Sequence, residues 1–422
     1  MQTRLRIALC WLLVVLMAVS GCARLAPVPT LAPVTLRLAY REHTVNLQPL
    51  VDAFHEKYPH ITVQLVKMQR WGSDLGTLLR GKQVDLFIEG RDALDFAKQG
   101  YLLPLTEVAL DAWDAIRSDY YKGAWESLSS QGQQWGIPAG LDMYAVYINM
   151  DVLRSLKLEV PSANWTIEEF TELINRMNYP DGLPGSAQKV YGFCSDPMSM
   201  EPLAFVYMHG GRIVDDFLNP TKATLDDPLT IEATRWYASL FGRYAVAPDP
   251  EVVRQTFRQG GYMEAQIRGF CGVWVGLYSN RGGMDTPYPW TISWKMLPFP
   301  RDKARLNAGE VDGYYIAKDS PHPEEALKLI RFLADRWEAS GTKLPPRRSL
   351  VESAAYAQAV GPDVAKIAAQ FPNEVIILPT QLNPKLEQVG VTYFQTLERI
   401  IREGLDPQDA LEEAQQKVQK LF

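Results

Sequence analysis

The chain has 422 residues, 47% hydrophobic and 22% charged, with 29 Gly and 29 Pro, a balance that excludes a disordered or fibrous protein. At roughly 150 residues per domain the length implies two or three domains with substantial cores. The net charge of −6 offers a polyanion such as nucleic acid no basic landing surface, and four Cys and five His without a C-x-x-C or H-E-x-x-H leave little for a metal site.

Arg4 and Arg6 precede an apolar run from Ile7 to Val19. A hydrocarbon core takes ~20 helical residues, so this run reads as a secretory signal peptide over 1–21 rather than a transmembrane anchor. Val19-Ser20-Gly21-Cys22 resembles the bacterial lipobox. That resemblance implies lipidation of Cys22, which becomes the mature N-terminus; several acyl chains would give a stable hold on a membrane. Residues 22–34, carrying Pro27, Pro29 and Pro33, read as a semi-extended tether. Cys10 leaves with the signal, so Cys194 and Cys271 remain, either paired in an oxidising compartment or as two separate buried thiols.

The body opens with an alternating strand, Thr35 to Tyr40. A helix follows, with Asn46 as N-cap and Leu47, Leu50, Val51 and Phe54 on one face, stopped by Pro59. Ile61 to Val66 is a strand, Leu75 to Leu79 a helix and Val84 to Ile88 a strand; Asp92 then caps a short helix ended by Gly100. Such alternation predicts a parallel sheet wrapped by helices, with ligands at the carboxyl ends of its strands. Gly136 to Gly140 leads into the strand Tyr144 to Ile148, and Thr166 with Glu169 has capping-box spacing. Tyr191 to Phe193, Cys271 to Val275 and Tyr314 to Ala317 are short strands among helices over 199–208, 228–243 and 323–338, and two tail helices part at Gly404 and Pro407.

Several blocks now resemble one family, the extracellular solute-binding proteins of ABC importers, in the sugar-binding branch of maltose-binding-type receptors. They are Leu50 to Phe54 through Tyr58 to Val63; Val84 to Ile88 leading to Gly100 through Leu105; and Trp135-Gly136-Ile137-Pro138, Asn149 to Leu153 and Trp165 to Phe170. Gly313 to Ser320 with Pro323 to Ala326, then Leu344 to Ser349, complete the series. Ile148 and Met150 depart from the usual Tyr and Lys. The resemblance implies an α/β chain of the periplasmic-binding-protein type II fold, with two discontinuous lobes and a ligand cleft between them. Lobe one would take 35–140 plus 313–345 and lobe two 142–309 plus 347–422. The crossings would fall near Ala139–Asp142, Gly309–Gly313 and Pro345–Arg347.

The function so implied is a monomeric, extracytoplasmic, membrane-anchored lipoprotein without cofactor. It would capture a mono- or oligosaccharide by lobe closure and deliver it to permease subunits driven by cytoplasmic ATPases. A sugar site needs planar polar groups for hydroxyl edges and aromatic rings for C–H faces. At predicted strand ends stand Tyr40 and Arg41, Trp71, and Glu89 and Arg91. Tyr40 and Trp71 read equally as packing, and Glu89 as a solvated loop charge. Asp142, past the first crossing, is the leading ligand carboxylate, with an Asx turn as its other reading; Asp142→Ala is expected to cost about 1–3 kcal/mol of binding with the fold intact. Glu201 is a further candidate or a favourable charge in a first helical turn. Tyr278 is a stacking candidate, and Trp274 is one or is core. Glu310 and Asp312 lie in the second crossing. Arg347 reaches either the cleft or a lobe–lobe salt bridge.

Paired carboxylates drawn from Glu89, Asp142 and Glu310 leave a secreted carbohydrate hydrolase as the alternative. No Gly-x-Ser-x-Gly elbow or P-loop is present, and no His stands beside a plausible nucleophile. An adhesive surface lipoprotein, with no closable cleft, is the third reading.

Overall fold

A computed structural model describes residues 31–41, 45–69, 73–107, 111–217, 220–242, 245–257, 260–284, 289–304, 307–377 and 384–422. The signal segment, Cys22, most of the tether and Trp71 lie outside these residues.

The first strand shows how the pattern becomes a fold. In β1, Val34–Tyr40, alternation sends Leu36, Leu38 and Tyr40 to one face of the sheet, where they join Leu50, Val51 and Phe54 of the helix Gln48–Lys57. Leu329, Ile330 and Leu333 of the helix Pro323–Ala334 close the same layer. Ala39 turns to the opposite face, against Leu75 and Leu79 of the helix Ser73–Arg80. Each large apolar side chain so buried contributes about 1.5–3 kcal/mol.

The strands continue as β2, Ile61–Lys67; β3, Leu86–Gly90; β4, Gly136–Asn149; β5, Tyr191–Cys194; β6, Cys271–Leu277; β7, Trp294–Leu297; β8, Asn307–Ile316; and β9, Val375–Ile377. Among the described residues they form one mixed sheet in the order β2-β1-β3-β8-β4-β6-β5, with β9 on β8 and β7 on β4. β1 runs parallel to β2 and β3, whereas β8 is antiparallel to both β3 and β4. β4 is the long member, and all fourteen of its residues are buried. Its first part pairs with β8 up to Met143, and from Tyr144 onward it pairs with β6 and β7. A single strand thus belongs to two layers of packing. Gly309 is required at this crossing, because a Cβ there would lie 2.5 Å from the Asp142 carbonyl oxygen.

Cys194 ends β5 and Cys271 begins β6, and the two are joined in a disulfide, which settles the choice left by the sequence. Thr166 and Glu169 form the expected capping box: Glu169 N–H donates to the Thr166 hydroxyl, and Thr166 N–H donates to the Glu169 carboxylate. Two boundary expectations need correction. Asn46 accepts from Gln48 N–H at 3.3 Å but stands one residue before the cap position, which Leu47 occupies. Asp92 does not stand at a cap position, which Gly90 and Ala93 take: it sits inside a tight turn, Arg91–Ala93, that leads from β3 into the helix Leu94–Lys98. Gly90 holds extended backbone just before that turn, so the chain reverses one residue earlier than the cap reading assumes.

Candidate functional site

The antiparallel register of β4 and β8 places Glu310 opposite Asp142 and Asp312 opposite Gly140. Directly opposed residues share a face, so Asp142 and Glu310 are neighbours at the crossing. Asp142, 3% exposed, accepts the backbone N–H of Ser279 at 2.9 Å and its hydroxyl at 2.6 Å. Ser279 follows β6, so this carboxylate ties the crossing strand to the second layer of the protein. Asp312 is paired with Lys343 at 2.7 Å, an ammonium only 11% exposed. Gly140 leaves room for that lysine, since a Cβ there would meet the Lys343 Cβ at 3.3 Å.

The carboxyl end of β3 supplies Glu89, which is ion-paired with Arg41 and accepts Gly90 N–H at 2.8 Å. Arg91, also buried, donates to the Ser127 carbonyl at 2.9 Å. From the other side come Tyr144 and Glu201. Tyr144 is 6% exposed, and its phenol lies in the field of Glu201, Glu310 and Asp142. Glu201 begins the helix Glu201–Met208 but turns inward, accepting the Ser195 hydroxyl at 2.5 Å; Ser195 in turn accepts from the Tyr237 phenol at 2.8 Å.

Burial dominates the electrostatics. It pushes Glu310 up to about 7, against the pull of Lys343 and with the repulsion of Asp142 and Asp312. It pushes Glu201 up to about 8, against the Ser195 hydroxyl. Glu89 and Asp142 are raised by burial as well, with Arg41 and Lys343 respectively opposing. Burial would lower Lys343, but Asp312 and Asp142 outweigh it and hold the ammonium charged. Burial also keeps the Tyr144 phenol protonated, so it remains a donor.

A carboxyl whose folded value lies above its ordinary one binds its proton more tightly when folded. Its stabilising contribution is then fully present below the ordinary value and lost as pH rises. For Glu201 the loss runs from about pH 4.5 to about pH 8. Glu201→Gln is therefore expected to gain about 1–3 kcal/mol over the parent at pH 8 and little at pH 5. Thermal melts of both proteins at the two pH values measure the difference, and an equal gain at both would contradict this assignment.

The expected site residues divide. Arg41, Glu89, Arg91, Asp142, Glu201, Glu310 and Asp312 converge around the crossing. Four others are placed elsewhere. Tyr40 is buried in the apolar layer with Leu47 and Leu50. Trp274 pairs with Tyr147 on β4 and is packed among Tyr147 and Trp290, with ring centroids at 5.8 and 5.1 Å, so its core reading holds. Tyr278 is fully buried beneath the Arg281 guanidinium, 4.1 Å from the ring centroid, with its hydroxyl 2.5 Å from that of Tyr356. Arg347 bonds Asp119 at 2.9 Å and Asp335 at 2.6 Å, the salt-bridge reading rather than a contact with Asp142, Glu310 or Asp312. For Tyr40 and Trp274 the reason is that strand position alone does not say which face a side chain takes; Tyr278 and Arg347 lie outside the strands, at a turn and a helix cap.

The sequence reading missed Tyr144, Ser279 and Lys343. Tyr144 was within reach, since it stands two residues past Asp142 on the same strand and period two puts both on one face. Ser279 and Lys343 lie in connections whose direction the pattern does not encode. A separate cavity of about 490 Å³, walled by Phe205, His209, Trp236 and Lys303, has its polar groups already joined, with Lys303 on Glu232 at 2.6 Å and His209 on Asp302 at 2.7 Å.

Comparison with known proteins adds a family, a relative and several solved structures. A family model described as bacterial extracellular solute-binding protein matches residues 41–336. An uncharacterized lipoprotein from the oleD 5′ region of Streptomyces antibioticus is 27% identical over 350 residues, 79% of this chain and 73% of that protein. Among solved structures, a Rhizobium etli sugar transporter in an open conformation superposes with a TM-score of 0.74 at 18% identity, covering 91% of this chain and 98% of its own. A Listeria monocytogenes ABC substrate-binding protein in complex with cycloalternan gives 0.71 at 18% identity, with 92% and 99% covered. The sugar-binding protein MalE of Xanthomonas citri gives 0.71 at 19% identity, with 92% and 97% covered. At these identities the likeness is one of fold.

Proposed function

The chain belongs to the bacterial extracellular solute-binding protein family, and from that premise we propose that it is the receptor of an ABC importer for a mono- or oligosaccharide. Its fold is the type II periplasmic-binding-protein fold, two α/β lobes with a cleft between them. In this reading lobe one comprises 35–140 with 313–345 and lobe two 142–309 with 347–422. The hinges are Ala139–Asp142, Gly309–Gly313 and Pro345–Arg347. The observation that carries the reading is the convergence at β4 and β8 of Asp142, Glu310 and Asp312 with Glu89 from one lobe and Tyr144 and Glu201 from the other. Planar acceptors and a phenol grouped between two rigid layers suit the edges of a polyhydroxylated ligand.

Mechanistically, ligand bridging the two lobes stabilises the closed state over the open one. Only the differential affinity does this, since equal affinity for both states shifts nothing. Rigid-body closure is then the signal that a permease with cytoplasmic ATPases reads. Cys22 carries the acyl anchor that keeps the monomeric receptor near that permease, outside the cytoplasm. Trp71 is a candidate stacking residue for the sugar, and Arg41 and Lys343 fix Glu89 and Asp312.

The test is calorimetry of the mature protein against a panel of sugars, with a reducing-end assay and small-angle scattering on the same samples. Heat and compaction without new reducing ends support a receptor. New reducing ends would replace it with a hydrolase built on the opposed carboxylates, and neither heat nor product would end the sugar reading.

A further inference from the structure

Glu201 ends a chain of hydroxyl groups rather than an ion pair. Ser195 directly follows β5, whose last residue, Cys194, is fixed to β6 by the disulfide. The hydroxyl of Tyr237, on the helix Pro228–Ser239, donates to that of Ser195 at 2.8 Å, and Ser195 donates on to Glu201 Oε2 at 2.5 Å. Ser195 and Tyr237 are both buried, so neither hydroxyl is free to turn to water. A hydroxyl carries one proton, and with Tyr237 pointing at Ser195 the serine proton is committed to Oε2. Glu201 itself is partly exposed, and its helix packs against the crossing strand β8. The residue thus lies just beyond the carboxyl end of β5, where ligands bind in open α/β sheets.

No cation answers this carboxyl among the described residues. The groups that face it are Asp196 after β5, Tyr144 on β4, Tyr237, and Tyr262 on the helix Gly261–Ile267. An acid and three phenols favour the neutral form over the carboxylate. In the neutral form Oε2 keeps the hydrogen bond from Ser195, and the acid proton sits on Oε1.

Resting on the reading of this cleft as a sugar site, we propose that Glu201 meets the sugar as a neutral acid and donates a hydrogen bond to a ring or linkage oxygen, with Ser195 and Tyr237 as the residues that position it. Ring and linkage oxygens accept and never donate. A donor on this wall therefore recognises the part of a saccharide that acceptor carboxylates do not.

The donor has a pH signature. Burial holds Glu201 at about 8, so its proton is present below that value and lost as pH rises through it. Tyr144, Tyr237 and Tyr262 are all raised above the ordinary phenol value and keep their protons throughout. Glu310, pushed up to about 7, changes its charge earlier.

The experiment is calorimetry of the mature protein at pH 6, 7, 8 and 9 with maltotriose, cellotriose and mannotriose, none of which titrates in this range. For a sugar that binds, the expected affinity falls by about tenfold per pH unit above pH 8, with about one proton taken up from the buffer per ligand there. Glu201→Gln abolishes both the fall above pH 8 and the uptake. Ser195→Ala removes a hydrogen bond that favours the ionised form, so it moves the fall to higher pH, a displacement that a purely structural role does not produce. The parent profile stands even if a variant folds poorly. An affinity unchanged between pH 8 and pH 9, or a fall that persists in Glu201→Gln, would overturn the inference and leave the sugar receptor standing. Absence of binding by all three sugars at every pH would overturn both.

Discussion

Replacing Cys194 and Cys271 by alanine is expected to lower stability by about 4 kcal/mol, on the scale of chain entropy for a loop of this length. The bridge closes 77 residues of sequence between β5 and β6, two parallel neighbours at the edge of the sheet. Parallel strands cannot be joined by a tight turn, so their pairing waits on everything folded between them. In the unfolded chain the bridge removes most of that search. Both sulfurs are fully buried, so alanine is the better test: serine would add a stranded hydroxyl to the loss. Chemical denaturation of the oxidised parent and the double variant gives the difference. A loss well under 1 kcal/mol would mean that the unfolded ensemble already holds this region together.

Asp142→Ala is expected to weaken sugar binding by about 1–3 kcal/mol, the scale for losing a charged hydrogen bond. The structure adds a second effect that the sequence did not foresee. Asp142 accepts both the N–H and the hydroxyl of Ser279, so alanine strands two buried donors and costs about 1–3 kcal/mol of stability as well. Asp142→Asn separates the two roles. Its amide oxygen still accepts from Ser279, and it removes the burial of a charge, so stability returns while affinity stays low. Calorimetry for binding and thermal melts for stability read the two effects independently. Normal affinity in a destabilised Asp142→Ala protein would reduce Asp142 to a support for the hinge.

Much of the architecture was legible because it repeats. Alternation in β1, the i, i+3, i+4 face of Leu47, Leu50, Val51 and Phe54, and the Thr166–Glu169 box all follow from local periods that burial enforces. The same logic reached the site only where it stayed on one strand. Asp142, Glu310 and Asp312 could be named as candidates because the family resemblance puts the crossings on their strands, and Glu89 because it ends β3. Tyr278 is buried against Tyr356, far along the chain, which no local pattern signals, and Arg347 follows its salt-bridge reading, with Asp119 and Asp335 as partners.

The amino-acid sequence alone determined the order of strands and helices and the α/β class, since each depends on residues near one another along the chain; the two lobes and their crossings were implied by the family resemblance. Tertiary structure alone decided that Cys194 meets Cys271, that Lys343 neutralises Asp312, that Ser279 holds Asp142, and that Tyr144 faces carboxylates from three segments. Those facts depend on how strands far apart in sequence come into register, and register is set by the packing of the whole sheet rather than by any local pattern.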